Sequence, residues 1–120
     1  MTIAQASRQY KIPAAIVAEY EQLGIPGKQE NENGLWECSP RDLELLSLMA
    51  TLHQSGLGAE DVKAYIRLVL KGKGTEKARL QILNRRREEA LEELHHHEGE
   101  VDLLDYLRYE LQKCMSDKKN

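Results

Sequence analysis

Residues 33–43, Asn33-Gly34-Leu35-Trp36-Glu37-Cys38-Ser39-Pro40-Arg41-Asp42-Leu43, interrupt a chain that otherwise reads as helix. Asn-Gly signals a hairpin turn, because both residues accept positive φ. Leu35 to Cys38 suffice only for a short strand, yet they hold the single Trp and one of the two Cys. Ser39-Pro40-Arg41-Asp42 then opens a helix, with Ser39 as N-cap, Pro40 at N1 and Asp42 in an acidic first turn. A turn, a strand and a capped helix therefore follow one another without a gap.

On the N-terminal side, Thr2-Ile3-Ala4-Gln5 fits a capping box. Ile3, Ala6 and Tyr10 recur at helical spacing until Lys11-Ile12-Pro13 breaks the run. Pro13 suits the first turn of a second helix over about Ala14–Gln22, whose buried stripe is Ile16, Val17, Tyr20 and Leu23. Gly24 fits the C′ position, with Pro26 just beyond. Two short helices and a tight turn make a helix-turn-helix candidate. On the C-terminal side, Leu43, Leu46, Leu48, Met49 and Leu52 line the helix that Ser39 opens, which ends near Ser55-Gly56. Residues 56–74 hold one more short helix, acidic early and lysine-bearing late, with Val62, Tyr65, Ile66 and Val69 as its stripe. Thr75 is placed as the next N-cap.

From Glu76 to about Lys113 there is no Pro and one Gly, Gly99. Leu80, Leu83, Arg87, Ala90, Leu94, His97, Val101, Leu104, Arg108 and Leu111 alternate steps of three and four, a heptad-like seam with three polar members. Such a helix would be roughly 55 Å long, so much of its stripe needs a second chain, and dimerisation is the simplest solution. The expected division is a domain over 1–74, a dimerisation helix over 75–114 and a disordered tail over 115–120.

With 41% hydrophobic and 31% charged residues, the chain has an ordinary globular composition. No apolar run approaches a membrane span, and the start lacks a secretory core, so a cytoplasmic protein with no membrane partner is expected. The net charge is −3. Residues 1–75 hold eight Lys/Arg against nine Asp/Glu, and residues 76–120 hold nine against eleven. Neither part is basic, so a phosphate-binding role starts with a deficit.

His95-His96-His97-Glu98 suggests metal ligands, but successive helical residues point about 100° apart and cannot all face one ion from one chain. A seam histidine, His97, more readily sets register in a dimer. Neither a metal nor any other cofactor is expected. Cys38 and Cys114 are candidate redox or electrophile sensors, set against the blander reading of two ordinary thiols, since no C-x-x-C pair occurs. Arg85-Arg86-Arg87 precedes Glu88, Glu89, Glu92 and Glu93 at pairing distances and reads as solvated surface. No nucleophile–base arrangement or phosphate loop appears, and no catalytic residue is expected.

Taken in order, these elements resemble a short member of the MerR family of transcription regulators along nearly the whole chain. Residues 18–25, AEYEQLGI, stand where the family has (R)YYE-x-x-G-L. Residues 33–43 match its N-G-Y-R-x-Y wing and S-x-x-D-L helix start. Residues 55–66, SGLGAEDVKAYI, and 104–110, LDYLRYE, match later elements. The resemblance implies a mainly α fold: a winged helix-turn-helix with a small β-hairpin, then a long C-terminal helix forming an antiparallel coiled coil in a homodimer. It implies binding to a pseudo-palindromic site in double-stranded DNA, with RNA polymerase at a promoter as a further partner, and no separate effector domain. The DNA-contacting set it implies is Arg8, Gln9, Lys11, Ala14, Tyr20, Lys28, Trp36 and Arg41, with Lys63 as an addition. The dimer set is Leu80, Leu83, Leu94, His97, Val101, Leu104 and Leu111.

Departures matter as well. Ala18 and Glu19 replace the usual Arg-Tyr, Leu35-Trp36 replace Tyr-Arg, and Cys38 replaces the later Tyr. The second helix carries Glu19 and Glu21 and no cation, which predicts weak or unusual DNA binding. The rival reading is a MerR-like protein-interaction module that has lost DNA binding, with Trp36 as an exposed anchor. A third is purely structural: Trp36 buried against the Leu43–Leu52 helix.

Overall fold

A computed structural model describes residues 1–24, 29–30 and 36–118. Helices α1 (Ile3–Gln9) and α2 (Ala14–Gln22) are followed by strands β1 (Gln29–Glu30) and β2 (Trp36–Glu37), then α3 (Pro40–Gln54), α4 (Ala59–Lys71) and α5 (Glu76–Lys118). None of the described helices is long and apolar enough to cross a membrane.

Local chemistry places the first elements as the sequence predicts. Thr2 and Gln5 close a reciprocal capping box at α1. Lys11 adopts φ 56° in the turn, uncommon for a residue with a side chain. Ser7 Oγ steadies that turn by donating to the Ile12 carbonyl at 2.5 Å. Pro13 proves to be the N-cap of α2 instead of its first-turn residue. Gly24, at φ 63°, follows the end of α2 in the left-handed region that glycine enters without strain.

The strands pair antiparallel, Gln29 with Glu37 and Glu30 with Trp36. The Asn33-Gly34 turn predicted between them lies outside the described residues. Residues at the chain start run beside β2: Thr2 bridges to Glu37, and Cys38 N donates to the Met1 carbonyl at 2.9 Å. The Met1 ammonium also pairs with the Glu37 carboxylate.

The chain divides into two units, Met1–Ile82 and Leu83–Asn120. In the first, α1 packs on α2, α2 on α3 and α3 on α4. Ile16, Tyr20, Trp36, Leu45, Leu46, Met49, Val62 and Ile66 belong to one buried cluster. The boundary lies beyond the predicted 74/75 because the first turns of α5 join this unit. Ile82 packs against the cluster, and the Arg79 guanidinium lies 6.0 Å from the Tyr65 ring centroid. Thr75 stands at the N-cap of α5 as expected, its carbonyl accepting from Arg79 N at 2.9 Å, while its hydroxyl turns back within hydrogen-bond distance of the Leu68 carbonyl at 3.0 Å and the Gly72 carbonyl at 2.8 Å. It therefore ties off the end of α4.

The second unit is helix. α5 runs through Lys118, taking in residues that the sequence assigns to a disordered tail. Its seam residues Leu83, Leu94, Val101, Leu104 and Leu111 are all exposed.

Candidate nucleic-acid interface

Helices α1 and α2 leave a shallow groove between them of about 340 Å³, lined by Ile3, Ala4, Ser7 and Arg8 from α1 and by Ala14 and Val17 from α2. The sequence builds it from small residues. Ala6 is fully buried at the back of α1, while Ala14, Ala15 and Ala18 are exposed along α2. A surface without long side chains lets another backbone come close. Arg8, Gln9, Tyr10 and Lys11 are exposed at the end of α1 and in the following turn, which puts two cations beside the start of α2. The N-cap of α2 makes no side-chain hydrogen bond, so the helix start presents backbone N–H groups of the kind that hold phosphates. Arg41 is exposed at the start of α3 and pairs with Glu44 at 3.7 Å. Lys63 sits 4.0 Å from Glu60.

Two members of the expected contact set face inward. Tyr20 is 1% exposed and Trp36 is 6% exposed. Their rings stack, with centroids 5.4 Å apart and planes 6° from parallel. Neither ring can grip a phosphate from there, and Trp36 cannot serve as an exposed anchor; the third, structural reading of Trp36 is the one observed. Lys28 lies outside the described residues.

The reason for this burial is a polar node that the sequence does not reveal. Tyr20 Oη donates to Asp42 Oδ1 at 2.5 Å. The other oxygen of Asp42 accepts from Ser39 N at 2.9 Å and from Ser39 Oγ at 2.8 Å, while Asp42 N donates back to Ser39 Oγ at 3.0 Å. One carboxylate thus closes the capping box of α3 and holds the phenol of α2, and the Trp36 ring lies on that phenol. Burial, and after it the hydrogen bond and charge of Asp42, push the Tyr20 phenol far above its usual range. Reading Asp42 only as a first-turn acid misses the second half of this role. Its signal was nonetheless present, since Ser-Pro-Arg-Asp has the spacing of a capping box.

Glu19 also departs from its expected place. It is turned inward, with Oε2 2.9 Å from His53 Nε2 of α3 and a side chain only 14% exposed. Only Glu21 of the two α2 acids is fully exposed to solvent. The negative charge that α2 offers a partner is therefore less than the sequence count suggests.

The thiols differ from one another. Cys38 is half-buried against the core and contacts the Ser39 carbonyl at 3.6 Å. Burial first, and then the nearby Asp42 charge, raise its pKa and so disfavour the thiolate. Cys114 is exposed beside Glu110, Lys113 and Asp117. Among the described residues, no three His, Cys, Asp or Glu side chains gather in a metal-holding arrangement within one chain.

A comparison with known families matches residues 1–68 to the MerR helix-turn-helix regulatory proteins. That is more than half of the chain. The chain belongs to the MerR family. A curated relative is similar over 93 residues: the HTH-type transcriptional regulator AdhR of Bacillus subtilis (strain 168), 29% identical. The match covers 77% of this chain and 66% of AdhR, just under two thirds of that protein's length. Among solved structures, a putative MerR family transcriptional regulator from Listeria monocytogenes superposes with a TM-score of 0.69 at 27% identity, covering 88% of this chain and 81% of that one. HiNmlR, described as a MerR family regulator lacking the sensor domain and bound to promoter DNA, gives a TM-score of 0.66 at 25% identity with the same coverages. The expected fold, a winged helix-turn-helix followed by a long helix, is the MerR fold seen here.

Proposed function

We propose that this MerR protein is a homodimeric, sequence-specific DNA-binding transcription regulator acting in the cytoplasm. The observation that carries the proposal is the small-residue face of α2 set beside Arg8 and Lys11. It is supported by the family match and by the likeness to a MerR structure solved on promoter DNA. In this reading α2 enters the major groove. Ala14 and Gln9 approach base edges, and Arg8, Lys11, Lys28 and Arg41 hold phosphates. Tyr20 and Trp36 act one layer behind, fixing β2 and α3 against α2, and touch no DNA.

The exposed seam of α5 pairs with a second copy, so that two recognition helices meet two half-sites of a pseudo-palindrome. At a promoter, the bound dimer would act on RNA polymerase.

Selection of binding sites from random double-stranded DNA, followed by a salt titration of the winning site, tests the reading. The expected result is an enriched pseudo-palindrome whose affinity falls steeply with salt. No enriched site, or an affinity indifferent to salt, would overturn it.

A further inference from the structure

We propose that the groove between α1 and α2 reads thymine. It receives the 5-methyl groups of thymines in each half-site, so that recognition along α2 works by methyl contact and not by hydrogen bonds. This rests on the DNA-binding reading of the preceding section and gives that reading a base preference.

A helix in the major groove distinguishes bases in two ways. Arg or Lys bonds to guanine, Asn or Gln to adenine and Glu or Asp to cytosine, while apolar groups touch the methyl of thymine. The sequence gives α2 four polar side chains able to bond: Glu19, Tyr20, Glu21 and Gln22. The fold withdraws the first two. Tyr20 is 1% exposed and its hydroxyl is spent on Asp42. Glu19 is turned to His53 at 2.9 Å. Glu21 and Gln22 are exposed, but they follow Ala14 by about two helical turns, at the far end of α2. The outward surface of α2 before them consists of Ala14, Ala15, Ala18 and half-buried Val17, whose side chains neither donate nor accept.

The groove points to the same base. Ile3 and Ala4 of α1 and Ala14 and Val17 of α2 line it. Ser7 lines it too, but its hydroxyl is occupied by the Ile12 carbonyl, which leaves the wall apolar. Guanine, adenine and cytosine set against such a wall would lose water from their donors and acceptors and gain no partner in return. Thymine brings a methyl group, which gains by leaving water.

Arg8 is the one charged side chain among the described lining residues, and among the described residues it has no ion-pair partner. A nucleotide carries a phosphate as well as a base, and Arg8 supplies the charge to hold it. An apolar wall joined to one cation complements thymidylate, which carries a methyl group and an anion within one unit of DNA.

Replacing thymine by deoxyuridine, one position at a time, in the double-stranded site selected for this protein tests the proposal. Uracil lacks only the methyl group, so every hydrogen bond of the base pair is kept. The expected result is at least one position in each half-site where the exchange weakens binding about three- to fivefold, the worth of one buried methyl. At that position 5-methylcytosine paired with guanine should bind better than cytosine paired with guanine, because the methyl is restored. An Ala14→Gly/Val17→Ala double variant strips methyl groups from the α2 side of the groove. Its uracil penalty should shrink below about twofold, since the two partners of one contact are coupled. A site indifferent to uracil at every thymine, or half-sites without thymine, overturns this inference and leaves the regulator reading intact. An undiminished penalty in the double variant overturns it as well, because the methyl then lies outside the groove. No selected site at all overturns the regulator reading and this inference with it.

Discussion

The two units use the same residue types to opposite ends. In Met1–Ile82, Leu45, Leu46, Met49, Val62 and Ile66 lie at 0–1% exposure within one cluster. In Leu83–Asn120, Leu94, Val101, Leu104 and Leu111 lie at 53–63% exposure along a single helix. A lone helix cannot bury a stripe in itself, and tertiary packing supplies most helical stability in proteins. The first unit thus spends its apolar surface on its own fold. The second offers its apolar surface to another molecule, which is where a monomer's large exposed patch usually points.

Truncating a leucine in each unit is the most direct way to break this contrast. Leu46→Ala removes a fully buried side chain and should cost about 2–5 kcal/mol, read from urea unfolding at fixed protein concentration. Leu104→Ala should leave the unfolding of the first unit in place. It should instead raise the dimer dissociation constant by about tenfold or more, seen by light scattering across a dilution series. If Leu104→Ala destabilised a dilute monomer as much as Leu46→Ala, the helix would be packed within its own chain and the contrast would fall.

The sequence makes the two units legible to different depths. Helix starts are carried by local chemistry, so Thr2-Gln5, Ser39-Pro40-Asp42 and the glycines after α2, α3 and α4 mark their elements correctly. The seam of α5 is legible too, because a period of three and four survives from Leu80 to Leu111 without a proline. What stays hidden is long-range pairing. Tyr20 meets Asp42 across 22 residues and Glu19 meets His53 across 34. Helical spacing already puts Tyr20 in the buried stripe of α2, but no local pattern names Asp42 as its partner or turns Glu19 toward His53. Tyr20 and Trp36 enter the DNA-contact set through the family resemblance alone: a motif marks the position, but the side chain's direction is set by packing. The end of the first unit is hidden for the same reason, since Ile82 joins the core through a fold made elsewhere.

The Tyr20–Asp42 node offers a sharper test of how self-contained the first unit is. Tyr20→Phe keeps the ring stack with Trp36 but strands a buried carboxylate oxygen, which should cost about 1–3 kcal/mol at neutral pH. The phenol's folded-state pKa is raised by burial and by Asp42, above an unfolded value of about 10. The folded state therefore keeps its proton longer than the unfolded state. The stability this contributes is whole below pH 10 and is lost as pH rises from there toward the folded value. Urea unfolding of parent and variant from pH 7 to 11 should show the gap between them narrowing above pH 10. Groups common to both proteins cancel in that difference, so parallel curves would mean that the phenol is not held by Asp42.

The smallest effect should come from the outward-facing groove of the first unit. Arg8 is exposed where it lines the groove, so Arg8→Ala should leave unfolding nearly unchanged, within about 0.5 kcal/mol. Its effect should fall on DNA instead. Losing one phosphate contact lowers affinity for a selected site by about three- to tenfold and reduces the salt slope by about one unit. Arg41→Ala should behave in the same way at the start of α3, slightly blunted because Glu44 already shares its charge. Ala14→Glu adds the opposite sign at the same groove and should weaken binding further without touching the core. If all three variants bound as the parent does, α2 would not be the element that meets DNA. The outward surface of the first unit would then need a different partner, as the exposed seam of α5 does.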